Sequence, residues 1–180
     1  MRALVSLLGE AGVRYMIVGS MASTYYGPPR TTQDIDVVVE LTASSLSQLL
    51  GVVDRDRYYV AEDAAASAVA KGGLFNIIDL RTTWKFDLII RRDRPFSREE
   101  FARRRSVSID GVRVEMASPE DTVLSKLEWA SAGESDRQLR DAASVLEVVG
   151  TAIDDAYLDV WAEDLGVAAL LERARHLARP

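Results

Sequence analysis

Residues 15–39 carry the densest structural signal in this chain and read YMIVGSMASTYYGPPRTTQDIDVVV. The apolar run over 15–18 has the length and composition of a buried strand, and Gly19 ends it. A helix is predicted directly behind that glycine, over 20–26, before a Gly-Pro-Pro break. The β-branched run over 35–41 then predicts a second strand. A strand, a helix and a strand therefore follow one another with very short connections.

The remaining elements follow from hydrophobic period and turn residues. Two apolar runs joined by Arg81-Thr82-Thr83 predict an antiparallel hairpin, and Asp110-Gly111 predicts another. Helix caps are expected at Thr42 or Ser44 and at Ser97. Further strands are predicted over 74–80, 84–90, 107–109 and 112–115, and helices over 2–10, 44–53, 62–71, 97–104, 119–132, 136–149, 155–164 and 167–178. Among the late helices, Trp129, Trp161 and Tyr157 are expected to be packing residues.

This pattern predicts an α/β fold of the α+β kind, in which a mixed β-sheet with flanking helices precedes a C-terminal helical bundle. The expected division is a catalytic domain over 1–116 and a helical region over 117–180 packed on it. No apolar run approaches the ~18 residues of a membrane-spanning helix. The N-terminal apolar run lacks a cleavage site, so a cytoplasmic protein without a membrane partner is expected.

Composition narrows the chemistry. The 180 residues include no cysteine and one histidine, His176, which excludes a disulfide framework, a thiolate metal site and a cysteine nucleophile. A site built from several histidines is excluded as well. Carboxylates, hydroxyls and cations must therefore carry any reaction.

Three aspartates form the principal candidate site. Asp34 and Asp36 are two residues apart on a predicted strand, so their side chains point to the same face. Two carboxylates held so close ionise comfortably only beside a cation, and hard oxygen ligands suit Mg²⁺ or Mn²⁺. Asp87 interrupts the apolar run over 84–90, where an unpaired carboxylate costs several kcal/mol. We therefore expect Asp87 to lie beside the other two and share their metals.

The turn Gly19-Ser20 is a candidate phosphate grip. It joins a strand to a helix, so backbone N–H groups and the helix N-terminus face an anion, and the Ser20 hydroxyl adds a donor. The alternative is an ordinary strand-to-helix turn.

Charge is distributed unevenly along a chain whose net charge is -6. Residues Arg91 to Arg105 include seven arginines, whereas residues 120–180 contain 13 acids and six bases. This basic segment is the one obvious stretch of positive charge that could bind the phosphates of a nucleic acid such as tRNA. The alternative is a solvated face with local ion pairs.

Taken together, the segments Ile17-Val18-Gly19-Ser20, Arg30-Thr31-Thr32 and Asp34-Ile35-Asp36 resemble the polymerase-β-like nucleotidyltransferase superfamily. They are most similar to its stand-alone bacterial members, the AbiEii/AbiGii-type nucleotidyltransferase toxins. Downstream, Lys126 and the pair Arg140-Asp141 are similar to the helical half of those proteins. Relatives often carry a further acid where this chain has Ser144.

The resemblance implies an enzyme that transfers a nucleoside monophosphate from an NTP such as ATP to an acceptor hydroxyl. It implies two Mg²⁺ ions, or Mn²⁺, held by the catalytic residues Asp34, Asp36 and Asp87. Nucleotide-binding roles are implied for Gly19, Ser20, Arg30, Thr32, Lys126 and Asp141.

The acceptor implied by the toxin relatives is a tRNA 3′ end, together with a cognate antitoxin as partner. Protein AMPylation and adenylylation of a small, aminoglycoside-like molecule are alternatives within the same enzyme class. A catalytically inactive, antitoxin-like binding partner is the alternative of another class. The sequence leaves the oligomeric state, the NTP and the acceptor open.

Overall fold

The computed structural model describes residues 1–133 and 135–178. Its contacts divide the chain into two compact units. The sheet unit comprises residues 1–18 and 32–116, and the helical unit comprises residues 19–31 and the described residues from 117 onward. The domains predicted over 1–116 and 117–180 stay a prediction, and residues 134, 179 and 180 lie outside the described residues.

The elements alternate in the first two thirds of the chain and are helical thereafter. The helices are α1 (Arg2–Glu10), α2 (Gly19–Tyr26), α3 (Ala43–Val52), α4 (Glu62–Lys71), α5 (Pro95–Ala102), α6 (Pro119–Gly133), α7 (Asp136–Val149), α8 (Asp155–Asp164) and α9 (Ala168–Leu177). The strands are β1 (Tyr15–Ile17), β2 (Asp34–Val39), β3 (Tyr58–Val60), β4 (Leu74–Asp79), β5 (Lys85–Ile90), β6 (Arg105–Ile109) and β7 (Val112–Met116). The structure therefore confirms the predicted α+β fold class.

Within the described residues, the strands of the sheet unit form one mixed sheet in the order β3-β4-β5-β2-β1-β7-β6. Strand β2 pairs in parallel with β5 and antiparallel with β1, while β4 and β5 form the predicted antiparallel hairpin. Parallel pairing of β2 with β5 matters for the site, because it places equivalent residues of the two strands side by side.

One face of the sheet is apolar and buried. Ile35, Val37 and Leu88 are fully buried there, and the alternate residues of the same strands point to the opposite face. Helix α4 packs on β4, and α3 packs on both α1 and α4. The other face over β2 and β5 is more open, since residues 34, 36, 85 and 87 are exposed or partly buried.

Two sequence predictions about caps had different outcomes. Thr42 caps α3 and forms a capping box with Ser45, as one of the two expected alternatives. Ser97 does not cap α5, because Pro95 begins that helix at its first position and Arg94 is the N-cap residue. The Ser97 hydroxyl accepts a hydrogen bond from Arg94 Nε instead, at 3.0 Å.

The helical unit is built around α6 and α7. Helix α6 packs on α7, α2, α8 and α9, and it carries buried Val123, Leu124 and Leu127. A buried polar tie holds its start: the Ser118 hydroxyl donates to Asp121 Oδ2 at 2.6 Å and accepts from the Asp121 N–H at 3.1 Å. The Tyr157 hydroxyl of α8 donates to the other oxygen of Asp121, also at 2.6 Å.

The prediction that Trp129 packs between the late helices was wrong. Its side chain is 62% exposed, because it lies on the side of α6 away from the buried residues at 123, 124 and 127. Across residues 1–133 and 135–178, no helix has the length and apolar character needed to cross a membrane.

Candidate active site

The three predicted aspartates lie on the open face of the sheet unit. Strand register places Asp36 directly opposite Asp87 on the parallel neighbour β5, and Asp34 opposite Lys85. Because residues two apart on a strand share a face, all four side chains belong to one surface. The structure thus places the three predicted aspartates on one face of two adjacent strands, and their sharing of a metal stays a prediction.

Two further polar side chains complete this surface. Asn76 of β4 is opposite Asp87, and its amide donates a short hydrogen bond to Asp87 Oδ1. The Lys85 ammonium is 3.0 Å from Asp87 Oδ2 and 3.8 Å from Asp34 Oδ1. Asp36, Asp87 and Asn76 therefore form a polar row across three strands, and Lys85 flanks it. We call Asp34, Asp36, Asp87, Lys85 and Asn76 the carboxylate cluster.

The side chains of the carboxylate cluster differ in exposure, and Lys85 supplies positive charge among them. The Asp34 side chain is 53% exposed and that of Asp87 only 15%. The hydrogen bond to Asp87 holds the pKa of Lys85 above the usual lysine range, although desolvation opposes it, and the charges of Asp87, Asp34 and Asp36 add to the effect. Lys85 is therefore a cation at neutral pH and supplies part of the positive charge that the three carboxylates require.

The donor chemistry of the cluster suits a hard divalent cation, since carboxylate and amide oxygens are the ligands that Mg²⁺ and Mn²⁺ prefer. Nevertheless, across residues 1–133 and 135–178 no three Asp, Glu, His or Cys side chains are gathered closely enough to hold a metal ion. Lys85 accounts for part of the separation between the carboxylates, because Asp34 and Asp87 each direct an oxygen toward the Lys85 ammonium. The residues fit a metal by type and strand register, with Lys85 as the competing cation.

Thr32 has a local role at the start of β2. Its hydroxyl donates a hydrogen bond to the Asp34 carbonyl oxygen at 2.9 Å. The same hydroxyl oxygen accepts a hydrogen bond from the Asp34 backbone N–H at 3.3 Å. These bonds brace the backbone from which the first carboxylate projects. The nucleotide-binding role implied for Thr32 stays a prediction.

The turn at Gly19 belongs to the helical unit. Helix α2 begins at Gly19, whose φ of +65° lies in the left-handed region that favours glycine. The Ser20 carbonyl accepts a hydrogen bond from the Ser23 hydroxyl at 3.1 Å. The predicted strand-to-helix turn is therefore present, and its use as a phosphate grip stays a prediction.

Lys126, Arg30 and Asp141 form an ion network in the helical unit. Asp141 and Lys126 are almost fully buried, and Lys126 Nζ donates to Asp141 Oδ2 at 3.1 Å. The Arg30 guanidinium donates to the other oxygen of Asp141. The network brings together three residues that the sequence analysis placed in the nucleotide site, and in it the Lys126 ammonium is occupied by a carboxylate.

The arginines of the segment 91–105 are engaged in contacts within the sheet unit. Arg91 donates to Glu40 at 2.9 Å, Arg98 pairs with Asp93 at 2.7 Å, and Arg104 stacks on the Phe101 ring. Of the seven side chains, that of Arg92 alone has no partner among the residues that the structure describes. Contact between this segment and RNA stays a prediction, and it would compete with these pairs.

Sequence reasoning missed Asn76 and Lys85. A signal existed for Lys85, since it precedes Asp87 by two residues and must share its face of the strand. Asn76 could be found only from the register of the hairpin between β4 and β5, which a loop length alone does not fix.

The fold is similar to that of solved nucleotidyltransferase structures. The antibiotic-resistance factor ANT(2'')-Ia aligns with a TM-score of 0.59 and 14% identity over 97% of this chain and 94% of its own. A nucleotidyltransferase-like protein from Paracoccidioides brasiliensis aligns at 0.57 and 18% over 92% and 88%. The lincosamide antibiotic adenylyltransferase LnuA aligns at 0.54 and 9% over 82% and 94%.

No protein-family model and no curated protein sequence matches the chain. At these identities the structural similarity establishes the nucleotidyltransferase fold, in agreement with the superfamily resemblance of the sequence. The closer resemblance to the AbiEii/AbiGii-type toxins stays a prediction.

Proposed function

We propose that this protein is a metal-dependent nucleotidyltransferase that moves a nucleoside monophosphate from an NTP to an acceptor hydroxyl. The observation that carries the proposal is the placement of Asp36 opposite Asp87 on parallel strands, with Asp34 on the same open face. That arrangement occurs in a fold shared with nucleotidyltransferases. Lys85 contacts Asp34 and Asp87, and a divalent cation would supply further positive charge to the same surface.

In the proposed reaction the acceptor oxygen attacks the α-phosphorus, and the bond from that phosphorus to the β-phosphate bridging oxygen breaks, releasing pyrophosphate. Asp34, Asp36 and Asp87 would hold two Mg²⁺ ions, or Mn²⁺, whose bound charge would stabilise the triphosphate and the leaving group.

Asp87 is the residue we assign to receive the proton of the attacking hydroxyl, at Oδ2, because Oδ1 accepts from Asn76. Asn76 thereby orients the carboxylate. Lys85 lies against the same Oδ2 and must move aside as the proton is taken up.

For the nucleotide, we propose contacts from Gly19, Ser20 and Thr32, together with the network of Arg30, Lys126 and Asp141. Backbone N–H groups at the start of α2 and the Ser20 hydroxyl suit a phosphate. ATP is the NTP proposed first. Lys126 can contribute only by sharing its ammonium between Asp141 and the ligand, because it is buried against that carboxylate.

For the acceptor, a tRNA 3′ end remains the first proposal, with a cognate antitoxin as partner. A small-molecule hydroxyl is the second candidate, and it is favoured by a specific observation: two of the similar folds belong to an antibiotic-resistance factor and a lincosamide antibiotic adenylyltransferase. The engagement of the arginines in 91–105 with internal partners weakens the electrostatic argument for RNA at that segment.

A transfer assay tests the proposal. The protein is incubated with Mg²⁺, each α-³²P-labelled NTP, and total RNA, a protein extract or a panel of aminoglycosides and lincosamides. We expect label on one acceptor class, reduced at least about 100-fold in Asp36→Asn, since a lost metal ligand removes several kcal/mol of stabilisation.

The matched control is Asp63→Asn, which removes an exposed carboxylate from α4 of the same unit and should transfer label normally. Label that persists in Asp36→Asn would contradict the assignment of the site. Absence of transfer to every acceptor, together with absence of Mg²⁺-NTP binding, would favour the inactive binding partner.

A further inference from the structure

A basic cleft lies within the helical unit, between the segment that follows α2 and the exposed side of α7. Its volume is about 370 Å³, within the size range of small-ligand sites. The polar side chains that line it belong to Ser23, Arg30, Arg137, Arg140, Asp141 and Ser144. We call it the arginine cleft.

The cleft has an excess of positive charge. Arg137 and Arg140 are three residues apart on α7 and therefore project from the same side of the helix. Both are exposed, and among residues 1–133 and 135–178 neither has a carboxylate partner. Asp141, the one acid of the lining, is bound by Arg30 and Lys126. Among the described residues these two guanidinium groups thus have no ion-pair partner, although the net charge of the protein is -6.

The walls of the cleft are fixed by close packing. A Cβ atom at Gly27 would lie 2.8 Å from the Ser23 carbonyl oxygen and 3.7 Å from the backbone of Ser144 in α7. A side chain at position 27 would therefore collide with the end of α2, whereas its distance from α7 is an ordinary van der Waals contact. Arg30 follows three residues later and is anchored by buried Asp141. An arginine held by a buried carboxylate presents its remaining N–H donors in a defined direction.

We propose that the arginine cleft binds a phosphate group, with Arg137 and Arg140 as its direct contacts and Arg30 as an oriented third donor. Planar guanidinium groups match phosphate oxygens in pairs, and two uncompensated charges suit a dianionic group. This inference rests on the proposed function in one respect: the phosphate is taken to belong to a nucleotide or to a nucleic-acid acceptor. Phosphate binding in the cleft does not itself require nucleotidyl transfer.

Calorimetry in EDTA tests the site with the full chain and inorganic tripolyphosphate as the probe, so that no metal contributes. Wild type should bind, and Arg137→Gln/Arg140→Gln should bind at least about tenfold more weakly, because even one lost charge-assisted hydrogen bond is worth about a factor of ten. The control Arg113→Gln/Arg173→Gln removes two exposed arginines elsewhere and changes the net charge equally.

Equal affinity in the two double variants would overturn the site, since the probe would then respond to net charge alone. Citrate of comparable charge should bind more weakly than tripolyphosphate, and equal binding would overturn the phosphate assignment. Circular dichroism should show that both variants fold, because the replaced side chains are exposed.

Two further probes identify the source of the phosphate. Preferential binding of ATP over a 5′-hydroxyl single-stranded RNA supports a nucleotide site, and the reverse supports an acceptor site. Binding of neither would overturn the assignment to nucleotides. The variant Asp36→Asn separates this inference from the proposed function: it should lose transfer and keep tripolyphosphate binding.

Discussion

Lys85 lies between Asp34 and Asp87 on the open face of the sheet unit, at 3.8 and 3.0 Å from their oxygens. A cation and a bound metal ion compete for the same carboxylates, so removing the ammonium should favour the metal. We predict that Lys85→Met binds Mn²⁺ about threefold more tightly or better in the absence of nucleotide, a modest factor because Lys85 is partly exposed. Titration calorimetry or Mn²⁺ electron paramagnetic resonance measures it.

The control for that prediction is Lys71→Met, which removes an exposed lysine from the last turn of α4 in the same unit. Equal Mn²⁺ affinity in Lys85→Met, Lys71→Met and wild type would show that Lys85 does not compete with a metal at this site.

Lys126 allows a sharp test of structural against ligand-binding roles. It is buried, and its ammonium is 3.1 Å from Asp141 Oδ2. Removing one partner of a buried ion pair leaves an undercompensated charge, which costs about 3 kcal/mol. Arg30 still pairs with Asp141, so we predict that Lys126→Met lowers the free energy of unfolding by about 2 kcal/mol. Urea denaturation followed by circular dichroism measures the loss.

The double variant Lys126→Met/Asp141→Asn completes the cycle. Because the second substitution removes the charge that the first leaves unpaired, the two losses should be less than additive. Additive losses would show that Lys126 and Asp141 are not energetically coupled, and no loss in Lys126→Met would show that the ammonium has little structural value.

At the scale of elements, local sequence was sufficient to predict most helices and strands. The apolar runs on either side of residues 81–83 predicted the β4–β5 hairpin, and Thr42 was one of the two residues predicted to cap α3. Strand β3 was missed because it has only three residues and follows the charged stretch 54–57. Its pairing with β4 is supported by Arg57, whose guanidinium donates to Asp79 at 3.1 and 2.8 Å. Such a long-range ion pair has no local sequence signature.

Asp79 gives that part of the sheet a dependence on pH. Burial disfavours its ionised form, but hydrogen bonds from Arg57 and from the N–H groups of Arg81 and Thr82 outweigh burial and hold its pKa below the usual range. A depressed carboxylate pKa stabilises the fold above the unfolded-state value of about 3.9, and this contribution is lost as the pH falls below it.

We therefore predict that wild type is more stable than Asp79→Asn at pH 6, and that the difference narrows as the pH falls from about 4 toward 2. Urea unfolding at a series of pH values measures both curves. Asp63→Asn, an exposed carboxylate in α4, should follow the wild-type curve throughout. A difference between wild type and Asp79→Asn that is constant with pH would contradict the assigned role of the Asp79 charge.

At the scale of the whole molecule, the sequence allowed the three aspartates of the carboxylate cluster to be predicted, but not Lys85, Asn76 or the arginine cleft. Strand alternation places Asp34 and Asp36 on one face, and the cost of an isolated buried charge assigns Asp87 to their neighbourhood. The arginine cleft depends on the packing of the segment after α2 against α7, which joins residues more than 100 positions apart. Before that packing is known, Arg137 and Arg140 look like ordinary surface residues of an amphipathic helix.

The two sites lie in different units, so ligand-induced protection from hydrogen exchange should distinguish them. A ligand that binds the folded state slows exchange in the elements that hold it. We predict that Mn²⁺ without nucleotide slows amide exchange in β2 and β5, whereas tripolyphosphate in EDTA slows exchange in α2 and α7. Residues 120–180 carry 13 acids against six bases, so indiscriminate cation binding would instead protect the late helices α8 and α9. Mass spectrometry of peptides from these six elements separates the outcomes. Protection of α8 and α9 by Mn²⁺ with none in β2 and β5 would mean that general surface charge, and not the carboxylate cluster, attracts the metal.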